Sequence, residues 1–108
     1  MYDAYFTDDF DKHFNKLTKK DGQLRGRLKT RIEEMKREKP INPIEYIADL
    51  KGKWKMKVGD YRMLYAYCED CRAKGYERLN QCLKCEKKND NAIVYFDVIH
   101  RSEGYDNL

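Results

Sequence analysis

Four cysteines fall in two pairs of equal spacing, Cys68-Glu69-Asp70-Cys71 and Cys82-Leu83-Lys84-Cys85, and the chain has no others. A Cys-x-x-Cys turn lets two thiolates reach one ion. The ten residues from Arg72 to Gln81 allow the chain to return so that four sulfurs close a tetrahedron. The spacing predicts one zinc ion held by Cys68, Cys71, Cys82 and Cys85. Four protein ligands leave no open coordination position, so such a zinc is structural and not catalytic. Two disulfides, or reduced thiols without metal, remain as alternatives. A reducing compartment disfavours the disulfides.

A second constellation is cationic. Trp54 to Val58 alternates apolar and basic residues, and Gly59-Asp60 is a two-residue hairpin turn followed by a returning strand, Tyr61 to Tyr67. Across such a turn Val58 faces Tyr61, Lys57 faces Arg62, Met56 faces Met63 and Trp54 faces Tyr65. Directly opposed residues share a face. One face is then Trp54, Met56, Val58, Tyr61, Met63 and Tyr65. The other presents Lys53, Lys55, Lys57 and Arg62 on rigid strands. Protection of an edge strand by lysine is the plain alternative. The C-terminal segment His100-Arg101-Ser102-Glu103-Gly104-Tyr105 adds further groups able to carry charge or protons.

These residues need elements to hold them. Tyr2 to Thr7 reads as a short first strand. Thr7 or Asp8 caps a helix whose apolar stripe is Phe10, Phe14 and Leu17. Asp21-Gly22 breaks it. A second helix buries Leu24, Leu28, Ile32 and Met35, keeps Arg25, Lys29 and Lys36 wet, and ends before Pro40 and Pro43. Ala92 to Ile99 is a last strand. His13, on the first helix, reads as a surface or boundary residue.

The 108 residues are one domain's worth of sequence, with 41% hydrophobic and 39% charged residues. No apolar run approaches the length of a membrane helix, and Met1 to Phe6 lacks the basic and apolar regions of a signal peptide, so the expected location is cytoplasmic. The formal charge of +4 is unevenly spread. Lys19 to Lys39 holds nine basic and four acidic side chains, and Lys51 to Arg62 five and one. Such concentration points to a polyanionic partner; solvated faces are the alternative. There is no phosphate-binding glycine loop and no serine nucleophile elbow.

Leu50-Lys51-Gly52, then Trp54 through Tyr65 with its Gly59-Asp60-Tyr61-Arg62 block, then His100-Arg101 ending in Tyr105, resembles the RelE/ParE toxin family. The likeness covers most of the chain outside Cys68 to Asn91. It implies an α+β fold, a two-helix hairpin packed on a small, mainly antiparallel sheet. Residues 1–108 would be a single RelE-like domain, with a zinc knuckle at 68–85 inserted between the last two strands. That insertion departs from the family's usual short hairpin.

The resemblance also implies a function: the toxin of a toxin–antitoxin system, a ribosome-dependent endoribonuclease that cleaves mRNA by attack of the 2′-OH. Its partners would be a cognate antitoxin, the ribosome and mRNA. By the family pattern Lys55, Lys57, Arg62, His100, Arg101 and Tyr105 would be catalytic, and Lys53 would bind substrate. The chemistry requires a base near the hydroxyl, cations on the phosphate and an acid for the leaving 5′-oxygen. Crowded cations favour the neutral amine, which equips a lysine as a base. A ParE-like toxin that inhibits a topoisomerase without cutting RNA stays open. So does a zinc-ribbon module binding RNA or protein on the same scaffold.

Overall fold

In the computed structural model, which describes residues 1–47, 50–80 and 90–103, the chain enters through strand β1 (Asp3–Phe6) and turns into helix α1 (Asp8–Thr18). Thr7 caps this helix. Its hydroxyl oxygen accepts from the Phe10 amide at 3.1 Å and donates to the Phe96 carbonyl at 2.7 Å, which fixes the helix start to the sheet. Asp8, Asp9 and Asp11 complement the positive end of the helix. Asp21 caps α2 (Gly22–Arg37) through the Leu24 amide at 2.9 Å. β2 (Ile44–Glu45), β3 (Trp54–Val58) and β4 (Tyr61–Tyr67) follow. Then come α3 (Cys68–Ala73), α4 (Glu77–Asn80), β5 (Ala92–His100) and a 3₁₀ turn (Arg101–Glu103).

The five strands lie in the order β1-β5-β4-β3-β2; only the β1–β5 pair is parallel. The β3–β4 register is Val58 with Tyr61, Lys57 with Arg62, Met56 with Met63 and Trp54 with Tyr65, as the two-residue turn at Gly59-Asp60 dictates. Gly59 has φ +60°, where a side chain is strained. The apolar face of this hairpin packs beneath the helices. Phe10, Phe14, Leu24, Leu28, Ile32 and Met35 meet Met63, Tyr65, Tyr95 and Val98 in one core. Tyr67 donates to the Met35 carbonyl at 2.7 Å, and the Tyr95 hydroxyl lies 3.7 Å from the Met35 sulfur. The two tyrosines therefore tie the end of α2 to the middle of the sheet.

Two features differ from the sequence reading. Leu17 is only partly buried, and Thr18 completes the α1 stripe by donating to the Phe14 carbonyl at 2.7 Å. A bulge also interrupts β5. Tyr65 pairs with Tyr95 but Leu64 pairs with Asp97, so Phe96 is an extra residue and the alternation of β5 is reset there.

The segment between β4 and β5 begins as helix α3 and is anchored on both sides. Lys39 is ion-paired with Glu69 and lies 3.2 Å from Asp70, while Tyr2 donates to Glu69 at 3.2 Å. Burial pulls the Lys39 pKa down, but the hydrogen bonds with Glu69 and Asp70 outweigh it and raise it. On the other side Tyr76 donates to Glu45 at 2.6 Å and Lys74 reaches the same carboxylate at 3.3 Å. No helix among the described residues is long and apolar enough to cross a membrane.

Candidate cationic site and cysteine helix

The far face of the sheet, opposite α1 and α2, is built in rows across the strands. In backbone register Lys55, Leu64 and Asp97 form one row and Lys57, Arg62 and Ile99 the next, although the Asp97 carboxylate turns to His13 of α1. The floor of this face is apolar: Leu64, Ala66, Val94, Phe96 and Ile99 are all buried. Lysines stand on or beside that floor. Lys53 holds its ammonium 4.8 Å from the Phe96 ring centroid and 3.1 Å from Asn80 Oδ1. Lys55 lies half-buried with its ammonium 5.5 Å from the Tyr46 ring centroid. Both contacts place a cation on an aromatic face, worth about 0.5–2 kcal/mol each. Lys57 is exposed at the end of β3.

Arg62 departs from the expectation of an open cationic face. It is only 7% exposed. Its Nη1 donates to the Gly59 carbonyl at 2.8 Å and the Tyr61 carbonyl at 2.9 Å. The guanidinium thus binds one carbonyl of the turn and one at the start of β4. Arg62 is thus a brace of the turn.

His100 departs too. It pairs with Tyr61, and the two rings meet edge to face at 5.1 Å. Tyr61 belongs to the helix side of the hairpin, so strand alternation turns His100 away from Lys55 and Lys57. The cause is the Phe96 bulge: without the extra residue, parity would have put His100 on the lysine face. His100 Nδ1 lies 2.8 Å from the Ser102 hydroxyl. Arg101 donates its amide to the Asp60 carbonyl at 2.8 Å, and its guanidinium lies 3.5 Å from the Asp60 carboxylate. Tyr105 lies outside the described residues.

The turn therefore gathers charge from three parts of the chain: Lys57 and Arg62 from the hairpin, Arg101 from the end of β5, and Arg27 from α2. The Arg27 guanidinium crosses so close to Gly59 that a Cβ there would lie 2.8 Å from it. Arg27, Arg31 and Lys57 line one groove of about 480 Å³ with Glu34 between α2 and the end of β3. None of the three is ion-paired among the described residues. Sequence reasoning missed Arg27 and Arg31, although their spacing of four puts them on one side of the α2 stripe. His13 is a boundary residue, its Nδ1 2.5 Å from Asp97 Oδ1.

Cys68 and Cys71 stand one turn apart on α3 and are 6% and 5% exposed. Residues three apart on a helix share a face, so both sulfurs can serve one ion. Asn80 Nδ2 lies 3.2 Å from Cys71 Sγ, and a donor aimed at sulfur suits a thiolate. The two thiols could share one ion, and no group of three or more metal-binding side chains stands among the described residues. Cys82 and Cys85 lie outside the described residues.

No family model matches the chain, and no curated protein matches it significantly in sequence. Solved structures do match its fold. The YoeB/ParE toxin from Agrobacterium tumefaciens superposes with a TM-score of 0.61 at 12% identity, over 91% of this chain and 96% of the other. The YoeB dimer from Staphylococcus aureus gives 0.57 at 11%, over 89% and 92%. The RelB–RelE antitoxin–toxin complex from Methanococcus jannaschii gives 0.54 at 22%, over 95% and 96%. The chain has the fold of the RelE/ParE-type toxins.

Proposed function

We propose that this protein is the toxin of a toxin–antitoxin pair and that it cleaves mRNA held in the ribosome. The observation that carries this reading is the cationic rim on a RelE/ParE-type fold: Lys55 and Lys57 on β3, with Arg27, Arg62 and Arg101 around the adjoining turn. In the reaction the 2′-hydroxyl loses a proton and its oxygen attacks the neighbouring phosphorus. The bond to the 5′-oxygen breaks, and that oxygen takes up a proton. The products are a 2′,3′-cyclic phosphate and a free 5′-hydroxyl. Lys55 and Lys57 supply charge at the phosphate and the base. Lys53 contacts the substrate strand. Arg62 holds the turn on which Lys57 is mounted. Arg101 adds charge beside the turn and Tyr105 a further acid or positioning group from the C-terminal segment, while His100 stands on the other face of the sheet. So few groups leave substrate alignment to the ribosome.

The zinc expected at Cys68, Cys71, Cys82 and Cys85 would serve structure, tying α3 to the following segment. An acidic antitoxin segment suits the groove of Arg27, Arg31 and Lys57 by charge. One fold neighbour is a toxin bound to its antitoxin.

A second reading has a specific observation behind it. His100 faces away from the lysines and Arg62 spends its Nη1 on turn carbonyls. Such dispersal suits a ParE-like toxin that binds a topoisomerase without cutting RNA. Mapping 5′ ends on translating mRNA, with and without the protein, separates the two. Codon-phased cuts that vanish in a Lys55→Ala/Lys57→Ala double variant support the nuclease. An uncut message together with an inhibited topoisomerase replaces it.

A further inference from the structure

Several cations of α2 are turned away from the hairpin. Arg25 holds its guanidinium 5.5 Å from the Phe14 ring centroid, Lys36 lies 3.5 Å from Glu33, and Lys29 lines a separate groove with Phe10 and Phe14 of α1. Arg27 and Arg31, exposed and one turn apart, line the groove against the end of β3 instead. Arg27 reaches furthest. Its two terminal nitrogens would stand 2.8 and 3.1 Å from a Cβ on Gly59, and its Cζ 3.3 Å. The fork of the guanidinium therefore leads, and it ends over the tip of the turn, in the groove that Lys57 shares. Arg27, Arg31 and Lys57 have no hydrogen-bond or ion-pair partner among the described residues. With Arg62 and Arg101, Arg27 and Lys57 place four cations around the turn, against the Asp60 carboxylate. Like charges held this close repel one another, and a bound polyanion relieves that repulsion.

The lining of the groove says which polyanion. Gln23, Arg27, Thr30 and Arg31 of α2 face Lys57 and Val58 of β3, and Glu34 closes the far end. Val58 is the one apolar side chain among the lining residues, and it is only 7% exposed. An acidic helix that docks in a groove needs an apolar floor for its stripe. It matches this groove in charge but finds no such floor. A nucleic-acid strand needs none, because a cationic groove tracks its backbone. Four residues of helix set Arg27 and Arg31 about 6 Å apart along the axis, close to the step between successive phosphates. Lys57 follows Lys55 by two residues and shares its side of β3, so it belongs to the lysine face and to the groove alike. A strand lying on that face enters the groove where it passes the turn.

We propose that the groove between α2 and the hairpin tip is an RNA-phosphate subsite, in which Arg27, Arg31 and Lys57 hold the backbone of the message beyond the bond that is cut. The inference rests on the nuclease reading above and names where the strand leaves the lysine face. Such contacts position the strand and carry no sequence information. Glycine at 59 keeps the crossing open, since any Cβ there would displace the Arg27 fork.

The test uses the full chain and 2′-O-methyl RNA, which lacks the attacking hydroxyl and so reports binding alone. Affinities for a trinucleotide and a dodecanucleotide are measured by fluorescence anisotropy over a range of salt. Arg27→Gln/Arg31→Gln removes both exposed guanidinium groups; Arg25→Gln/Lys29→Gln removes the same charge from the same helix outside the groove. Each phosphate contact on a single strand contributes about 0.7 to the slope of log affinity against log salt. The dodecanucleotide slope should therefore fall by about 1.4 in Arg27→Gln/Arg31→Gln, which is a loss of about 25-fold in affinity near 0.1 M salt. The trinucleotide, seated on the lysine face, should bind this variant as it binds the wild type. Arg25→Gln/Lys29→Gln should keep the wild-type slope. Equal losses in the two double variants would show a general charge effect and overturn the subsite. A trinucleotide that loses as much as the dodecanucleotide would make the groove a separate RNA site and overturn the continuous strand. Arg27- and Arg31-dependent binding of a glutamate-rich peptide, without binding of RNA, would make it a peptide site and overturn the proposal. A wild type that binds neither oligonucleotide but makes codon-phased cuts overturns this inference and leaves the nuclease reading standing; one that neither binds nor cuts removes both.

Discussion

Replacing Arg62 by methionine should cost stability, and the amount follows from two hydrogen bonds. The arginine stem is buried and methionine conserves most of its volume, so little apolar contact is lost. What disappears is the donor to the Gly59 and Tyr61 carbonyls, at 2.8 and 2.9 Å. Bonds of that length from a charged donor are worth about 1.5–3 kcal/mol each. A single nitrogen serves both carbonyls, and water at the turn can rescue part of the loss. The expected net cost is about 2–4 kcal/mol, against a total stability of about 5–15 kcal/mol for a domain. With a urea slope of about 1–2 kcal/mol per molar, the unfolding midpoint should fall by about 1–4 M at unchanged slope. Arg62→Lys should retain part of the loss, since an ammonium is a point donor. Lys57→Met, at an exposed position, should stay within about 0.5 kcal/mol. An Arg62→Met chain that unfolds at the wild-type urea concentration would show that the guanidinium does not brace the turn. Any loss of activity in it would then have to be read as chemistry.

Three further outcomes follow from the same structure. Gly59→Ala should destabilise the hairpin by about 1–2 kcal/mol, because its φ of +60° disfavours a side chain and the Arg27 guanidinium must move; a thermal melt reads this. Burial pushes the Tyr65 phenol up to about 12 and raises Tyr67 and Tyr95 as well. Their folded pKa values exceed the unfolded one, so the stability they contribute is complete below pH 10 and is lost as pH rises beyond it. Absorbance titration should show these three phenols ionising only with unfolding. The Glu45 pKa is lowered by the Tyr76 hydrogen bond and by Lys74, against burial. That contribution is present above the ordinary value of 4.5 and is lost as pH falls through the lowered one. Trp54, the single tryptophan, lies 6.0 Å from the Tyr76 ring and should report the loosening by a red-shifted emission.

The hairpin was legible because a period of two and a two-residue turn leave one register for Trp54 to Tyr65. The α2 stripe was legible for the same kind of reason: Leu24, Leu28, Ile32 and Met35 admit one helical face. The bulge at Phe96 was not legible. Nothing in Tyr95-Phe96-Asp97-Val98 marks an extra residue, yet it decides the face on which His100 stands. Arg62 read as one more cation in a basic strand; its burial depends on turn carbonyls that only the folded hairpin brings to it. Cys68 to Cys71 read as a knuckle, and the structure makes it a helical turn. Asn80 carried no signal, since its partners lie nine, twenty-seven and twenty-eight residues away.

The place of β5 has a consequence for synthesis. Among the described residues it is the last strand in sequence, but it lies second in the sheet, between β1 and β4. Asp3 finds its partner at Ala92. On a growing chain the helices and the β3–β4 hairpin can form early, because their contacts are local. β1 has no strand to join, and one edge of β4 stays open, until β5 has left the ribosome. The row from Lys57 through Arg62 to Ile99 is completed at that same late moment. Assembly of the cationic rim is thereby postponed until the fifth strand is available. The basic β3–β4 hairpin is thus made well before the strand that closes its row.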